Sequence, residues 1–558
     1  MTPRRLALAA FLVAAGLVMA LQAWRGAAMM LPEPDITRLD CVSYAHPGDL
    51  FEWGEKQPIA PAVITAELTA LAKVSGCVRT YSTGDGQDKV VEAAEKLGLK
   101  VILGAWLGSN PDKNRAEIER AILLANDHPA TIRTVVIGNE TLLRREMSAG
   151  DLIALVREVK SRTKVPVTSA EIWSFWLRNP ELAQAVDLLA VHVLPYWDGE
   201  GVRSIPDAVD FSIEAIAKVS ASFPGKPILI GEIGWPSVGR ARGAVAPGIV
   251  EQARFARGIA AQAAQRGWDY NLIEGYDQPW KRRGEGTVGG AWGLLHADGT
   301  PKAPLAGPVS PQPDWLVKGL LALLLGAAGL LVVDRNSWRV ALAAPALALV
   351  LVEQADFSRH ALAHWHEPPL HALAWIAAAV IAWALLRTLA KGERLAAATT
   401  NGVLGVIRRD AALRPAPQDE VTDQGPHAEE SAKPASRSMS VVCGLLLLAF
   451  RFGIACLALG QVLDPRYRDF AVPLLAMLVL APLAFRRDGR PGPEDWALGG
   501  LLLAGAGGSL ALSGPDNLQA VAWAATLGLL ALPLLLPAHQ AKQAEHDRRP
   551  AEAQVAEG

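Results

Sequence analysis

The chain has 558 residues, enough for several domains, and a formal charge of −2. That balance gives no reason to expect a nucleic-acid partner, and four cysteines in this length are neither a disulfide scaffold nor a metal site by spacing. The 51% apolar content is unevenly spread: residues 1–30 and 315–540 are runs of Leu, Ala, Val and Gly, whereas 35–310 read as an ordinary soluble domain.

Arg4 and Arg5 precede an apolar run from Leu6 to Trp24. That run is about long enough to span a bilayer, and no clean small-x-small cleavage site follows it. Residues 1–30 therefore read as a signal anchor.

From residue 40 to 277, short apolar strands alternate with amphipathic helices. The strands are expected at Cys41–Tyr44, Cys77–Tyr81, Val101–Ala105, Thr134–Gly138, Val165–Ser169, Leu188–Val193, Ile228–Gly231 and Leu272–Tyr276. Helical patterns such as Asn114–Asn126, Ala149–Arg162 and Ile249–Arg266 lie between them. Eight such units predict a (β/α)₈ barrel over residues 35–310. No Gly-rich phosphate loop follows the first strand, which argues against a doubly wound open sheet. A barrel of this kind carries its site on the C-terminal ends of the strands. Those ends here hold Tyr44, Arg79 and Tyr81, Trp106, Asn139 and Glu140, Glu171 with Trp173 and Trp176, His192 with Tyr196 and Trp197, Glu232 with Trp235, and Asp277 with Trp280 and Lys281.

Seven further apolar runs follow, near 315–333, 338–353, 369–386, 441–460, 469–485, 496–513 and 518–537, with 338–353 the shortest. Helices dominate both membrane blocks, 315–390 and 440–540. Arg4, Arg5, Arg335, Arg339, Arg387, Lys391, Arg394, Arg486, Arg487, Arg490, Lys542, Arg548 and Arg549 all fall on one side of an eight-span arrangement. Only Arg359, Arg466 and Arg468 fall on the other. The excess of basic residues marks the cytoplasmic side. Residues 35–310 then lie outside, which for a bacterial inner membrane means the periplasm. The segment 391–439 is rich in Ala, Pro, Glu, Ser and Arg and reads as a disordered cytoplasmic linker, with 541–558 as a cytoplasmic tail.

Two glutamates carry the chemistry. Val135-Val136-Ile137-Gly138-Asn139-Glu140 ends strand four, and Ile228-Leu229-Ile230-Gly231-Glu232 ends strand seven. Retaining glycoside hydrolysis needs two carboxyls about 5–5.5 Å apart, one to protonate the leaving oxygen and one to attack the anomeric carbon. Asn139 stands where it can hydrogen-bond a sugar 2-hydroxyl. These residues resemble glycoside hydrolase family seventeen, the β-1,3-glucanase family of (β/α)₈ enzymes. The resemblance covers about half the chain. It rests on Val42-Ser43-Tyr44, Val78-Arg79-Thr80-Tyr81, Gly138-Asn139-Glu140, Pro195-Tyr196, Gly231-Glu232-Ile233-Gly234-Trp235-Pro236-Ser237 and Trp292-Gly293-Leu294. It implies Glu140 as acid/base and Glu232 as nucleophile, with Tyr81, Tyr196 and Arg79 lining the latter. Plant members carry an acid and a Lys near the end of strand eight. Here Gln278 stands where that acid is expected, while Lys281 remains.

Several residues admit two readings. Glu171 is a third site carboxylate, or a sugar-binding or helix-capping one. His192 tunes the acid/base or is a hydrogen-bonded wall residue. Trp106, Trp173, Trp176, Trp197 and Trp280 are stacking faces or core, and Trp235 packs under its loop. His46, His128, His360, His364, His366 and His371 lack the acidic companions of a metal site, so neither metal nor cofactor is expected. Cys41 and Cys77 open neighbouring strands, within disulfide reach, or remain buried thiols.

A secreted hydrolase needs no membrane domain. The outward barrel followed by membrane helices is similar to rhizobial β-(1,6)-glucan synthase-type proteins. That likeness implies a transglycosylase that elongates or branches β-1,3/1,6-glucan, in the bilayer and beside other glucan-synthesis membrane proteins. An endo-β-1,3-glucanase is the alternative, and a non-catalytic glucan-binding or export component is a third reading.

Overall fold

The computed structural model describes residues 2–48, 51–52, 55–199, 202–363, 367–392, 395–397, 453–454, 456–463, 468–487 and 491–536. The chain divides into two units.

The first, Arg25–Pro313 with His360–Ala363, is built on β1 (Cys41–Ser43), β2 (Cys77–Arg79), β3 (Lys100–Ala105), β4 (Ile132–Asn139), β5 (Val167–Ile172), β6 (Leu189–His192), β7 (Ile228–Ile233) and β8 (Asp269–Leu272). All eight are parallel and hydrogen-bonded in sequence order, and β8 closes on β1 through Cys41–Asn271 and Val42–Leu272. Burial on both faces explains the nearly unbroken Val, Ile and Leu runs. Helices between the strands begin where side chains cap them: Asn110, Ser148 and Ser204 each accept a hydrogen bond from the backbone three residues on.

The expected eight strands are present, and all overlap their predicted ranges, the eighth by Leu272 alone. The eighth is earlier than read. Helix Ile249–Arg266 ends on Gly267 at φ 64°, and β8 starts at Asp269. The left-handed glycine turns the chain in two residues, so Gly275 to Asp277 lie beyond the strand. At the opposite face Arg133 pairs with Asp40 at 2.7 Å and with Asp269 at 2.7 Å, tying β1, β4 and β8. Of the two readings for Cys41 and Cys77, the disulfide is the one formed, with both residues buried. The chain's entry to and exit from the barrel run together. Met29 and Val309 exchange hydrogen bonds at 3.0 and 2.9 Å, and Glu33 and Asp35 pair with Arg254 and Arg257 of helix Ile249–Arg266.

The second unit is helical. Among the described residues, six helices are long and apolar enough to cross a membrane: Pro3–Arg25, Trp315–Val333, Trp338–Ala361, Glu367–Lys391, Asp495–Ser513 and Leu518–Leu535. The short run at 338–353 continues to Ala361, with Pro345 inside the helix. The run at 469–485 is corrected: it holds only Val472–Val479 and Ala481–Ala484. Pro482 has no N–H to give the carbonyl four residues back, Leu478, and the run divides at Leu480. Most of 441–460, most of the linker and the whole of 541–558 lie outside the described residues.

Candidate active site

The C-terminal ends of β2, β4, β6 and β7 bring Arg79, Asn139, Glu140, His192 and Glu232 together. Arg79 is 1% exposed and organises the group. Its Nη1 donates to the Gly231 carbonyl at 2.7 Å and to Glu232 Oε1 at 3.1 Å, and meets His192 Nε2 at 3.2 Å. Its Nη2 donates to Asn139 Oδ1 at 2.5 Å. A guanidinium only donates, so Asn139 presents its oxygen to Arg79, freeing its amide hydrogens for the cleft. The two hydrogens of Arg79 Nη1 face three neighbours, and His192 Nδ1 lies 3.1 Å from Glu140 Oε1.

His192 Nδ1 also lies 3.7 Å from Glu232 Oε2, so one imidazole bridges both carboxylates. Donor atoms of Glu140, His192 and Glu232 lie within 4.8 Å of one another. Such a set could gather a metal ion, but Glu232 already has a buried counter-charge in Arg79. Burial acts to raise Glu232, and His192, Arg79, the Tyr81 hydroxyl and Lys281 outweigh it, holding its carboxyl below the usual range. Glu140 is more open, with a side chain 22% exposed.

Local backbone aims these groups. The β4–β5 register shifts between Val136 and Asn139, and Glu140 itself sits at φ 50°. A non-glycine residue there is strained, and its surroundings must hold it. Glu140 N donates to Ala170 O at 2.7 Å, and Arg144 binds the carbonyls of Asn139 and Leu107. Leu142 N donates to Glu171 Oε1 at 2.9 Å. Gly231 leaves room for His192, since a Cβ there would meet the ring at 2.8 Å.

The other predicted site residues divide by accessibility. Trp106 and Trp280 are exposed at 39% and 44%. Arg144 stacks on Trp106 at 4.0 Å, and Gln278 Oε1 accepts from Trp280 Nε1 at 2.7 Å. Trp173 is half-buried, as is Trp197, which stacks with Trp292 and lies under Arg242. Trp176 is corrected to core: it is fully buried and its Nε1 donates to Ala190 O at 3.0 Å. Tyr44 is likewise buried and spends its hydroxyl on Glu67 Oε2 at 2.6 Å. Tyr196 and Trp235 are 3% exposed and pack edge to face. The Tyr196 hydroxyl donates to Arg240 O at 2.8 Å. Asp277 accepts from Lys302 Nζ at 2.6 Å and Gly293 N at 3.0 Å. Lys302 also donates to Ser237 Oγ at 2.7 Å, bracing the loop after β7.

Glu171 is a buried carboxyl pushed up to about 7 by burial. So is Glu274, which sequence reasoning missed. Lys281 Nζ donates to both its oxygens at 2.8 and 2.9 Å. Glu274, not Gln278, is therefore the acid partnering Lys281 near strand eight. The signal was available, because Glu274 closes the apolar run Leu272-Ile273 much as Glu140 and Glu232 close theirs.

Paired carboxylates at the open face of a parallel eight-stranded barrel define a glycoside hydrolase or transglycosylase domain. Residues 53–293 match the family model described as the BtgE/BtgC glycoside hydrolase domain, in line with the glycoside hydrolase resemblance read from the sequence. The chain is 28% identical over 245 residues to a glucan 1,3-beta-glucosidase of Arthroderma benhamiae, covering 40% of this chain and 78% of that protein. It is 28% identical over 288 residues to a probable glucan endo-1,3-beta-glucosidase btgC of Aspergillus fumigatus, covering 44% of this chain but only 41% of that one. A solved glycoside hydrolase family 17 beta-1,3-glucanosyltransferase from Rhizomucor miehei aligns at 22% identity, over 47% of this chain and 95% of that one, with a TM-score of 0.42.

Proposed function

We propose that this chain is a membrane-anchored, retaining β-glucan transglycosylase working outside the cytoplasm. The observation that carries the reading is the gathering of Glu140 and Glu232 oxygens around His192, within 4.8 Å of one another. That is close to the spacing of retaining enzymes, about 5–5.5 Å, and leaves no room for the water an inverting enzyme places between its carboxyls.

In the proposed first step a Glu232 oxygen attacks the anomeric carbon of a β-linked glucosyl residue. The bond to the leaving sugar breaks, and Glu140 gives that oxygen its proton. In the second step Glu140 takes a proton from an acceptor hydroxyl, which attacks the anomeric carbon and frees Glu232. Asn139, with its oxygen held by Arg79, offers its amide hydrogens to the 2-hydroxyl.

The β-1,3-glucan substrate rests on the relatives' printed activities. Transfer rather than hydrolysis rests on the acceptor side and on the likeness to rhizobial synthase-type proteins, with formation of β-1,3 or β-1,6 links. The acid/base protonates the leaving sugar, so the acceptor enters on its side. Trp106, joined to the Glu140 turn through Arg144, is the indole assigned to receive it in this reading. A sugar stacked on Trp106 would hold its hydroxyl at a high effective concentration against water. The six apolar helices and the lysine and arginine asymmetry support the membrane setting, for which a bacterial inner membrane with a periplasmic barrel is the reading.

Incubation with β-1,3-gluco-oligosaccharides at high concentration, read by mass spectrometry, tests this. Products longer than the donor are expected beside shorter ones, with Trp106→Ala shifting the balance to shortened sugars. Shortened sugars alone from the unsubstituted protein would make it an endo-β-1,3-glucanase, the activity of its btgC relatives. Intact substrate would leave a glucan-binding role.

A further inference from the structure

Two buried polar residues on the barrel strands, Ser43 of β1 and Asn271 of β8, take no part in the steps above. Both are fully buried. Their hydrogen bonds form a chain whose direction is set by chemistry. Asn271 Nδ2 lies 2.8 Å from the Gly231 carbonyl and 2.8 Å from Ser43 Oγ. A carbonyl only accepts, so the atom facing it is the amide nitrogen, and both amide hydrogens are committed. Ser43 Oγ accepts one of them. The Tyr81 hydroxyl hydrogen-bonds the Glu232 carboxylate, which only accepts, so its proton points there and its oxygen is left to accept from Ser43 Oγ, 2.8 Å away. Asn271 Oδ1 meanwhile is buried without a partner among the described residues. An unpaired polar atom in a barrel interior is costly, and a Val or Ala at these positions would avoid it.

We infer that Asn271 and Ser43 are positioning residues: a one-way donor relay that keeps the Tyr81 proton on Glu232. Donor chains of this kind polarise each successive bond. The relay strengthens the hydrogen bond that supports Glu232 as an anion before attack and as a leaving group afterwards. It rests on the assignment of Glu232 as nucleophile proposed above. Glu232 is also faced by Arg79 from β2, His192 from β6, Glu140 from β4, and Glu274 with Lys281 beyond β8. None of these touches the Ser43 hydroxyl in the bonds described, so a change at Ser43 reaches Glu232 through Tyr81.

The test uses the full chain in detergent, β-1,3-gluco-oligosaccharide turnover, and labelling of Glu232 by a 2-deoxy-2-fluoroglucosyl fluoride read by mass spectrometry. Ser43→Ala is expected to slow labelling and turnover about threefold to tenfold, the scale of one neutral hydrogen bond. It should move the acidic limb of kcat/KM to higher pH with little change in KM, and Ser43→Thr should restore both. Tyr81→Phe should cost more, and Ser43→Ala should add nothing on that background, as for residues acting through one path. Additive effects, or an acidic limb that stays in place in Ser43→Ala, would overturn the relay while leaving the transglycosylase reading intact. Failure of the unsubstituted protein to label at Glu232 would instead sink the nucleophile assignment, and the relay with it.

Discussion

At the scale of single residues, the two site glutamates sit in unlike surroundings. Glu232 is buried and held below the usual carboxylate range, whereas Glu140 is more open at a strained backbone position. If the proposed roles hold, Glu232→Gln removes the attacking oxygen and no glycosyl-enzyme should accumulate, as read by intact-protein mass spectrometry. Glu140→Ala should lose at least about 10²-fold on glucan, the usual contribution of general acid catalysis. It should recover on aryl glucosides whose leaving groups need no proton. Wild-type turnover by Glu232→Gln would refute its role. Glu171 offers a different check. Its folded value of about 7 lies above the unfolded value near about 4.3. Folding therefore favours its protonated form. The stability it contributes is full below the unfolded value and is lost as pH rises through the folded one. The melting temperature should fall between about pH 5 and pH 8. Glu171→Gln keeps an oxygen for Leu142 N and should flatten that fall. An unchanged slope would mean that Glu171 is ionised in the folded protein throughout.

At the scale of elements, the same residue type takes opposite parts according to its place after a strand. Trp176 lies on the inner side of a short helix following β5, with its indole nitrogen bonded to Ala190 O. Trp106 follows β3 directly and stays open beside Arg144. Trp176→Ala should cost about 3–5 kcal/mol of stability, as aromatic deletions from cores do. It should be visible in thermal melting, while Trp106→Ala should melt near the parent temperature and change only the products. The disulfide acts on an element pair. Cys41 and Cys77 close a sequence separation of 36 residues between β1 and β2. On the chain-entropy account that loop is worth about 3–4 kcal/mol. The double Cys→Ala variant should therefore melt at lower temperature, and reductant should lower the melting temperature of the parent but not of the variant.

At the scale of the whole molecule, the barrel shares its chain with six helices, among the described residues, that are long and apolar enough to cross a membrane. The basic residues distinguish the two ends of those helices, which is the basis for placing the barrel outside. A reporter active only outside the cytoplasm should be on when fused after residue 310 and off when fused at residue 415. The reverse result at either position would require the spans to be redrawn.

The sequence by itself determined the barrel, the order of its strands and the two glutamates at the ends of β4 and β7. Those are local matters: an apolar run that stops at a carboxylate marks a strand end whatever lies around it. It also marked most of the long apolar helices, because length and hydropathy suffice for them. Only the tertiary structure decided which side chains meet. Arg79, Asn139, His192 and Glu232 come from four separate strands, and which way the Asn139 amide faces was settled only when Arg79 was placed among them. Glu274 escaped notice because Gly267 starts β8 early, moving its end from Tyr276 to Leu272. The sequence could place Tyr44 and Trp176 near strand ends but could not tell site from core, because hydropathy reports the composition of a strand end, not which way a side chain turns. Their hydroxyl and indole nitrogen point to Glu67 and Ala190, partners 23 and 14 residues away that no local pattern could reveal.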